Sequence, residues 1–304
     1  MALLINKTTG EQARLLPTHI FGRQGDICNT QLMHNDVSRI HATILWDGER
    51  WLLKDASTNG TFLNGKSINP NSFTPLNKGD LIQFGNNQND CWELSSTECP
   101  QCMLVPLQPG LPYLDIKQII ALPSEDNPEV IITESIDGHW ICESPAGLAV
   151  LKSGDLVGTG SSLWRFIEAK PESATTIEPG PNDVLSLLEL HFTVSQNEEH
   201  IRLKIYLGGI MYDFGERIHH YLLLLLARQR LVDRDRGIAA AEQGWLEKEV
   251  LCKMLGTDIN HINIQHFRLR KQIADILPKH SQFIQFIETR VGQLRVGSAQ
   301  IHLK

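Results

Sequence analysis

No apolar run in the chain approaches the roughly 18–20 residues that a membrane-spanning helix needs. The longest, residues 222–227, fits a core helix, so no membrane association is expected. The start, Met1-Ala-Leu-Leu-Ile-Asn-Lys7, lacks a basic segment, a long apolar stretch and a cleavage site. No signal peptide is therefore read, and a cytoplasmic location is expected. Catalytic signatures are missing too. We read no P-loop, no nucleophile elbow, no His-Glu-x-x-His and no kinase motif set, and so expect neither catalysis nor a cofactor. Cysteine is sparse. Of Cys28, Cys91, Cys99, Cys102, Cys142 and Cys252, only Cys99 and Cys102 have metal-like spacing. A structural zinc site usually takes two such pairs, so no metal site is expected and the thiols read as reduced.

What is present divides the chain. The 304 residues suit two or three domains. Residues 1–200 carry 12 Lys/Arg against 25 Asp/Glu, a net of −13, whereas residues 201–304 carry 16 against 10, a net of +6. An acidic front and a basic back imply different partners. Nucleic acid suits the basic part, and so does the acidic part of the same chain.

Residues 1–96 alternate short apolar stretches with Asp-Gly, Asn-Gly and Lys-Gly-Asp turns, which predicts an all-β sandwich or barrel. Residues 97–170 again read as strands and contain an echo of the first part. Trp51, Leu76-Asn-Lys-Gly-Asp-Leu-Ile82 and Trp92 recur as Trp140, Leu151-Lys-Ser-Gly-Asp-Leu-Val157 and Trp164. Two readings stay open, a shortened, degenerate copy of the first fold or an unrelated β-rich region. Three prolines and small polar residues mark 171–184 as an extended linker. Residues 185–304 open with strands, pass into helical stripes and end in a hairpin turning near Gly292-Gln293.

Three motifs stand in order in the first region. They are Gly22-Arg23, then Ser38-Arg-Ile-His41, then Ser57-Thr-Asn-Gly-Thr61 followed by Asn64-Gly65. A phosphate dianion calls for a forked cation and several neutral donors. Arg23 supplies the first, Ser38 and Thr58 the second, and Arg39 a further cation at the rim. Asn59 carries an amide that can hold a peptide backbone in register. The glycines Gly22, Gly60 and Gly65 suit tight turns or positive φ, and His41 suits a hydrogen-bonded brace between the Ser38 and Thr58 loops. This pattern resembles the forkhead-associated (FHA) family over residues 1–96. The resemblance implies the same roles for Arg23, Ser38, Arg39, Thr58 and Asn59, structural support from Gly22, His41 and Gly60, and a preference for phosphothreonine over phosphoserine. The middle region has no equivalent of the second and third motifs, so no phosphate site is expected there.

In the last region a first helix is expected over residues 218–228 and a second from about Trp245 to Leu255, with Gly256 closing it. A third follows the N-cap residues Thr257-Asp258. In this third helix Ile262, His266, Leu269 and Ile273 share one face, and Gln265, Arg268, Arg270 and Lys271 lie off it. The stretches Ile264-Gln-His-Phe-Arg-Leu-Arg-Lys271 and Glu288-Thr-Arg-Val-Gly-Gln-Leu-Arg295 resemble the recognition helix and wing of response-regulator winged-helix effector domains. That resemblance implies DNA contact by Gln265, Arg268, Arg270 and Lys271, with Arg290 at the wing. Phe267, His266 and the long connection from Leu231 to Gly244 depart from the family pattern. Phe267 favours contact with protein.

The fold class expected is therefore a multi-domain α+β chain. An N-terminal FHA sandwich comes first, then a β-rich middle, then a winged helix-turn-helix over 185–304. The expected function is phosphothreonine-dependent binding of a partner acted on by a Ser/Thr kinase. Two roles remain for the C-terminal part, duplex DNA binding in transcription regulation or protein contact in an adaptor. The oligomeric state is left open, a dimer included.

Overall fold

In the computed structural model, residues 1–70, 72–87, 91–135, 138–160, 162–169, 188–277, 286–297 and 300–304 are described. The linker expected at 171–184 lies outside them, as do residues 283–285 at the start of the expected terminal hairpin. The chain separates into two compact units. One is Met1–Met103 with Ile167–Thr176, and the other is Leu104–Phe166 with Ile177–Lys304. Most of the middle region, Leu104–Phe166, thus belongs to the second unit.

The first unit is built on two sheets. Strands β1 (Leu3–Asn6), β2 (Gln12–Arg14), β7 (Thr61–Leu63), β8 (Lys66–Ser67), β10 (Leu81–Phe84) and β11 (Cys91–Ser96) form one, ordered β2-β1-β11-β10-β7-β8. Strands β3 (Thr18–Gly22), β4 (Thr30–Gln31), β5 (Ala42–Trp46), β6 (Trp51–Asp55) and β9 (Phe73–Pro75) form the other, ordered β4-β3-β5-β6-β9. Strict alternation drives the packing: in β6, Trp51, Leu53 and Asp55 are buried while Leu52 and Lys54 are less so. In the core, Phe21 stacks on Phe84 with centroids 4.8 Å apart, and Trp92 meets Phe21 edge-on at 6.1 Å. Burial of such rings is the main stabilising term of a small sandwich.

The second unit begins with two four-stranded sheets. One is β13-β12-β19-β18, from β12 (Met103–Pro106), β13 (Leu114–Asp115), β18 (Leu156–Thr159) and β19 (Ser162–Ile167). The other is the meander β14 (Ile119–Ser124), β15 (Asn127–Glu134), β16 (Trp140–Ser144) and β17 (Gly147–Leu151). The sequence echo is also a geometric one. Gly79 N–H donates to Leu94 O at 2.8 Å and Gly154 N–H to Phe166 O at 2.8 Å. Asp80 Oδ2 accepts from Asn77 N–H, and Asp155 Oδ2 from Lys152 N–H. Ile82 then pairs Trp92, and Val157 pairs Trp164. The turn residues therefore specify the same aspartate-pinned turn twice.

The rest of the unit holds the sheet β22-β21-β20-β26, from β20 (Leu188–Val194), β21 (Ile201–Leu207), β22 (Ile210–Glu216) and β26 (Gln300–Leu303). Three helices occur among the described residues: α1 (His220–Asp235), α2 (Lys248–Leu255) and α3 (Ile259–Ile276). A small sheet β23-β25-β24 completes it, from β23 (Leu246–Glu247), β24 (Ile287–Arg290) and β25 (Gln293–Val296). Asp258 caps α3 by accepting from His261 N–H at 2.7 Å, and Gly256 closes α2 at φ 63°. Helix α1 runs further than the sequence suggests and absorbs the first part of the expected connection after Leu231. It continues because Asp233, buried, accepts from Gln229 Nε2 and from Gly244 N–H at 2.8 Å each. No described helix is long and apolar enough to cross a membrane.

Candidate functional site

The three motif loops of the first unit meet around one cavity of about 540 Å³, lined by Arg23, Ser38, Arg39, Thr58 and Asn59 together with Ile40 and others. Local backbone chemistry accounts for the convergence. Arg23 N–H donates to Ser38 O at 3.0 Å and Gln24 N–H to Arg39 O at 3.1 Å, so the first two loops lie side by side. Ser38 Oγ accepts from Thr58 N–H at 3.1 Å, which ties the second loop to the third. That contact uses a lone pair of Ser38 and leaves its hydroxyl proton available to an incoming oxyanion. Asn59 Nδ2 donates to Asp36 O at 2.7 Å, so one of the two N–H donors of this amide is engaged within the protein. Arg23, Arg39, Thr58 and Asn59 are exposed and Ser38 is half-buried, as a solvent-facing anion site requires.

His41 is fully buried and bridges the loops as the sequence suggests. Its Nδ1 accepts from Ser38 N–H at 3.1 Å, so Nε2 carries the proton and donates to Gly60 O at 3.2 Å. Gly60 adopts φ 85° and Gly65 φ 76°, the left-handed region expected of them. Gly22 differs from expectation. It ends strand β3 without a positive φ, and a Cβ there would sit 2.3 Å from Arg39 O. Its role is close backbone approach.

Two acids that sequence reasoning missed organise the loops. Asp55, 1% exposed, accepts from Thr61 Oγ1 at 2.8 Å and from Ser57 N–H at 3.1 Å, closing the third loop on itself. Asp36 Oδ2 accepts from Asn86 N–H at 2.6 Å. Asp55 precedes Ser57 by two residues, an Asx-turn spacing that was legible; the contact of Asp36 with Asn86 is non-local and was not. Nearby, burial pulls His19 down to about 3, and its Nε2 meets Thr30 Oγ1 at 2.8 Å.

One string needs separate treatment. Gly60-Thr-Phe-Leu-Asn-Gly-Lys-Ser67 does carry the spelling of a nucleotide P-loop, contrary to the sequence reading above. It folds as the antiparallel pair β7–β8, Phe62 opposite Ser67 and Leu63 opposite Lys66. The phosphate-binding loop works by feeding a helix N-terminus, and no helix follows here, so the string is a hairpin.

Residues 19–85 match the FHA domain family. The first unit carries an FHA domain. Solved structures similar to this chain include the FhaA FHA domain complexed with the intracellular domain of Rv3910, at 31% identity over 31% of this chain and 98% of that one, TM-score 0.27. Another is the N-terminal FHA domain of S. cerevisiae Rad53p in complex with a phosphothreonine peptide, at 29% identity over 31% of this chain and 89% of that one, TM-score 0.28. A third is Mycobacterium tuberculosis EmbR with a low-affinity phosphopeptide, at 25% identity over 33% of this chain and 25% of that one, TM-score 0.29. No curated protein matches the chain. FHA domains are phosphopeptide-recognition modules rather than enzymes.

The residues expected to face DNA are arranged otherwise than the sequence implies. Gln265 is 7% exposed and Arg270 4%, and Phe267 between them is fully buried against Ala121 and Ile131 of the middle sheets. Arg270 Nη1 donates to Glu143 at 2.9 Å; burial pulls the guanidinium below its ordinary value and Glu143 opposes that pull. Arg268 pairs with Asp126 at 3.1 Å and Lys271 with Glu125 at 2.5 Å. Of the open basic surface predicted for Gln265, Arg268, Arg270 and Lys271, Gln265 and Arg270 are thus buried, whereas Arg268 and Lys271 stay at the surface as ion-paired groups. Burial of Phe267 seats this face of α3 on the meander, with Arg270 against Glu143 of β16 and Arg268 and Lys271 against Asp126 and Glu125 of the β14–β15 turn. Arg290 remains exposed and stacks over Trp245 at 4.2 Å. His266 occupies a core position at 0% exposure; burial holds it well below its usual range, and so neutral.

Proposed function

We propose that the protein captures threonine-phosphorylated partner proteins through the cavity between the Arg23, Ser38 and Thr58 loops. The observation that carries this reading is that one cavity is lined by two arginines, Arg23 and Arg39, a serine hydroxyl braced for donation and a threonine hydroxyl. This is the donor set a phosphate dianion takes. Arg23 supplies the forked charge, Ser38 and Thr58 neutral donors, Arg39 a rim cation and Asn59 the grip on the peptide backbone. Matching of the region to the FHA family supports the same assignment. The test is retention of the full chain on an immobilised degenerate phosphothreonine peptide library. Retention is expected on that library, much less on the phosphoserine and unphosphorylated versions. Arg23→Ala is expected to weaken it at least tenfold, the scale of a lost charge-assisted pair. Equal retention on the unphosphorylated library would sink the reading.

For the C-terminal part, an adaptor role in which the winged-helix-like elements contact protein is favoured over DNA binding. The supporting observation is the internal seat of α3, where Phe267 is buried and Arg268, Arg270 and Lys271 are ion-paired. A regulator reading duplex DNA through α3 requires all of these contacts to open first. The deciding measurement is a mobility shift of the full chain on duplex DNA.

A further inference from the structure

Strands β20 and β26 run parallel, with His191 opposite His302 and Glu189 opposite Gln300. Strand periodicity sends Leu188, Leu190 and Phe192 into the core and leaves Glu189 and His191 together on the other face. There, Glu189 Oε2 lies 3.0 Å from His191 Nε2 and 3.6 Å from His302 Nε2. The two imidazoles stack with centroids 4.2 Å apart at 25°, so both Nε2 atoms converge on one carboxylate. Ligand atoms of the three residues all lie within 4.8 Å of one another. The Tyr206 ring packs against His191 at 4.6 Å and helps hold its orientation.

We propose that Glu189, His191 and His302 bind one divalent cation of the zinc class, which clips the C-terminal strand β26 to β20. The geometry suits that ion. Zinc takes imidazole nitrogen and carboxylate oxygen at about 2.0–2.2 Å, and a tetrahedron of such bonds has edges of about 3.3 Å. The separations of 3.0 and 3.6 Å from Glu189 to the two imidazoles bracket this edge. Two imidazoles and one carboxylate leave a fourth position for water. Magnesium and calcium demand oxygen ligands and are disfavoured by this donor set. The site joins residues far apart in sequence across a four-residue edge strand that, among the described residues, has only β20 as its sheet neighbour. A cation held there stabilises the native state by mass action.

The test is calorimetric titration of the chelator-stripped full chain with Zn²⁺, paired with Co²⁺ absorption. The wild type is expected to bind one more equivalent than the His191→Asn/His302→Asn variant. Glu189→Gln is expected to bind at least tenfold more weakly. The cobalt form of this site should lack a thiolate charge-transfer band, which separates it from binding at the cysteines. An unchanged stoichiometry in the double variant, or no binding to the wild type, overturns the proposal and leaves a hydrogen-bonded His–Glu cluster. Should the double variant fail to fold, the unmodified chain still decides. Zn²⁺ should protect His191 and His302 from diethyl pyrocarbonate, and equal modification with and without Zn²⁺ overturns the site.

Discussion

At Gly22 an added Cβ would meet the Arg39 carbonyl oxygen at 2.3 Å and Cys28 Sγ at 2.9 Å. The first contact is with backbone that also accepts from Gln24 N–H and Cys28 Sγ, so it cannot yield without loosening the two loops. Gly22→Ala is therefore expected to destabilise the first unit by about 1–3 kcal/mol, the range for overpacking a tight site. It should also weaken phosphothreonine-peptide binding at least tenfold, because Arg23 and Arg39 are displaced together. Denaturant unfolding and peptide titration on the same sample check both. A variant as stable as the wild type that binds equally well would show that the close approach is not needed. The motif residues around this glycine were legible individually. The reason for the glycine was not, since a sequence displays the absence of a side chain and not what fills its place.

Helix α3 shows how an element's surface is decided by what it meets. Its cap at Asp258 and its stripe of Ile262, His266, Leu269 and Ile273 follow from local sequence; the cap forms and the stripe is buried, as expected. The opposite face is where the sequence misled, because a helix carrying Arg268, Arg270 and Lys271 reads as solvated or DNA-facing. Two of its ion pairs differ in kind. Side chains of Arg270 and Glu143 are 5% and 15% exposed, whereas those of Arg268 and Asp126 are 56% and 87% exposed. Breaking a buried pair leaves an uncompensated charge and costs about 3–5 kcal/mol, while exposed pairs contribute little. Glu143→Ala is expected to lower the urea midpoint of the full chain clearly, and Asp126→Ala to leave it unmoved. Equal shifts in the two variants would mean that the Arg270 seat does not hold α3.

Over the whole molecule, the −13 of residues 1–200 and the +6 of residues 201–304 resemble an invitation to nucleic acid at the basic end. Part of that basic charge is spent inside the second unit on Glu125, Asp126 and Glu143. The full chain is accordingly expected to give no duplex shift at low salt, with no salt-dependent affinity of the kind that counterion release produces. A shift that weakens steeply with salt would instead establish that α3 leaves its seat.

Local chemistry settled a great deal in advance. Alternating strands, aspartate-pinned Gly-Asp turns, the Asp258 cap and the three ordered loop motifs each depend on residues a few positions apart, and such short-range preferences act on any chain that contains them. Tertiary structure alone decided the rest. The seat of Phe267 and Arg270, the pairing of Asp36 with Asn86, the meeting of His191 with His302 and the filled space beside Gly22 all join residues distant in sequence. Burial and register between such segments are properties of the packed chain, and they determined which of the sequence's basic and polar groups remain open to a partner.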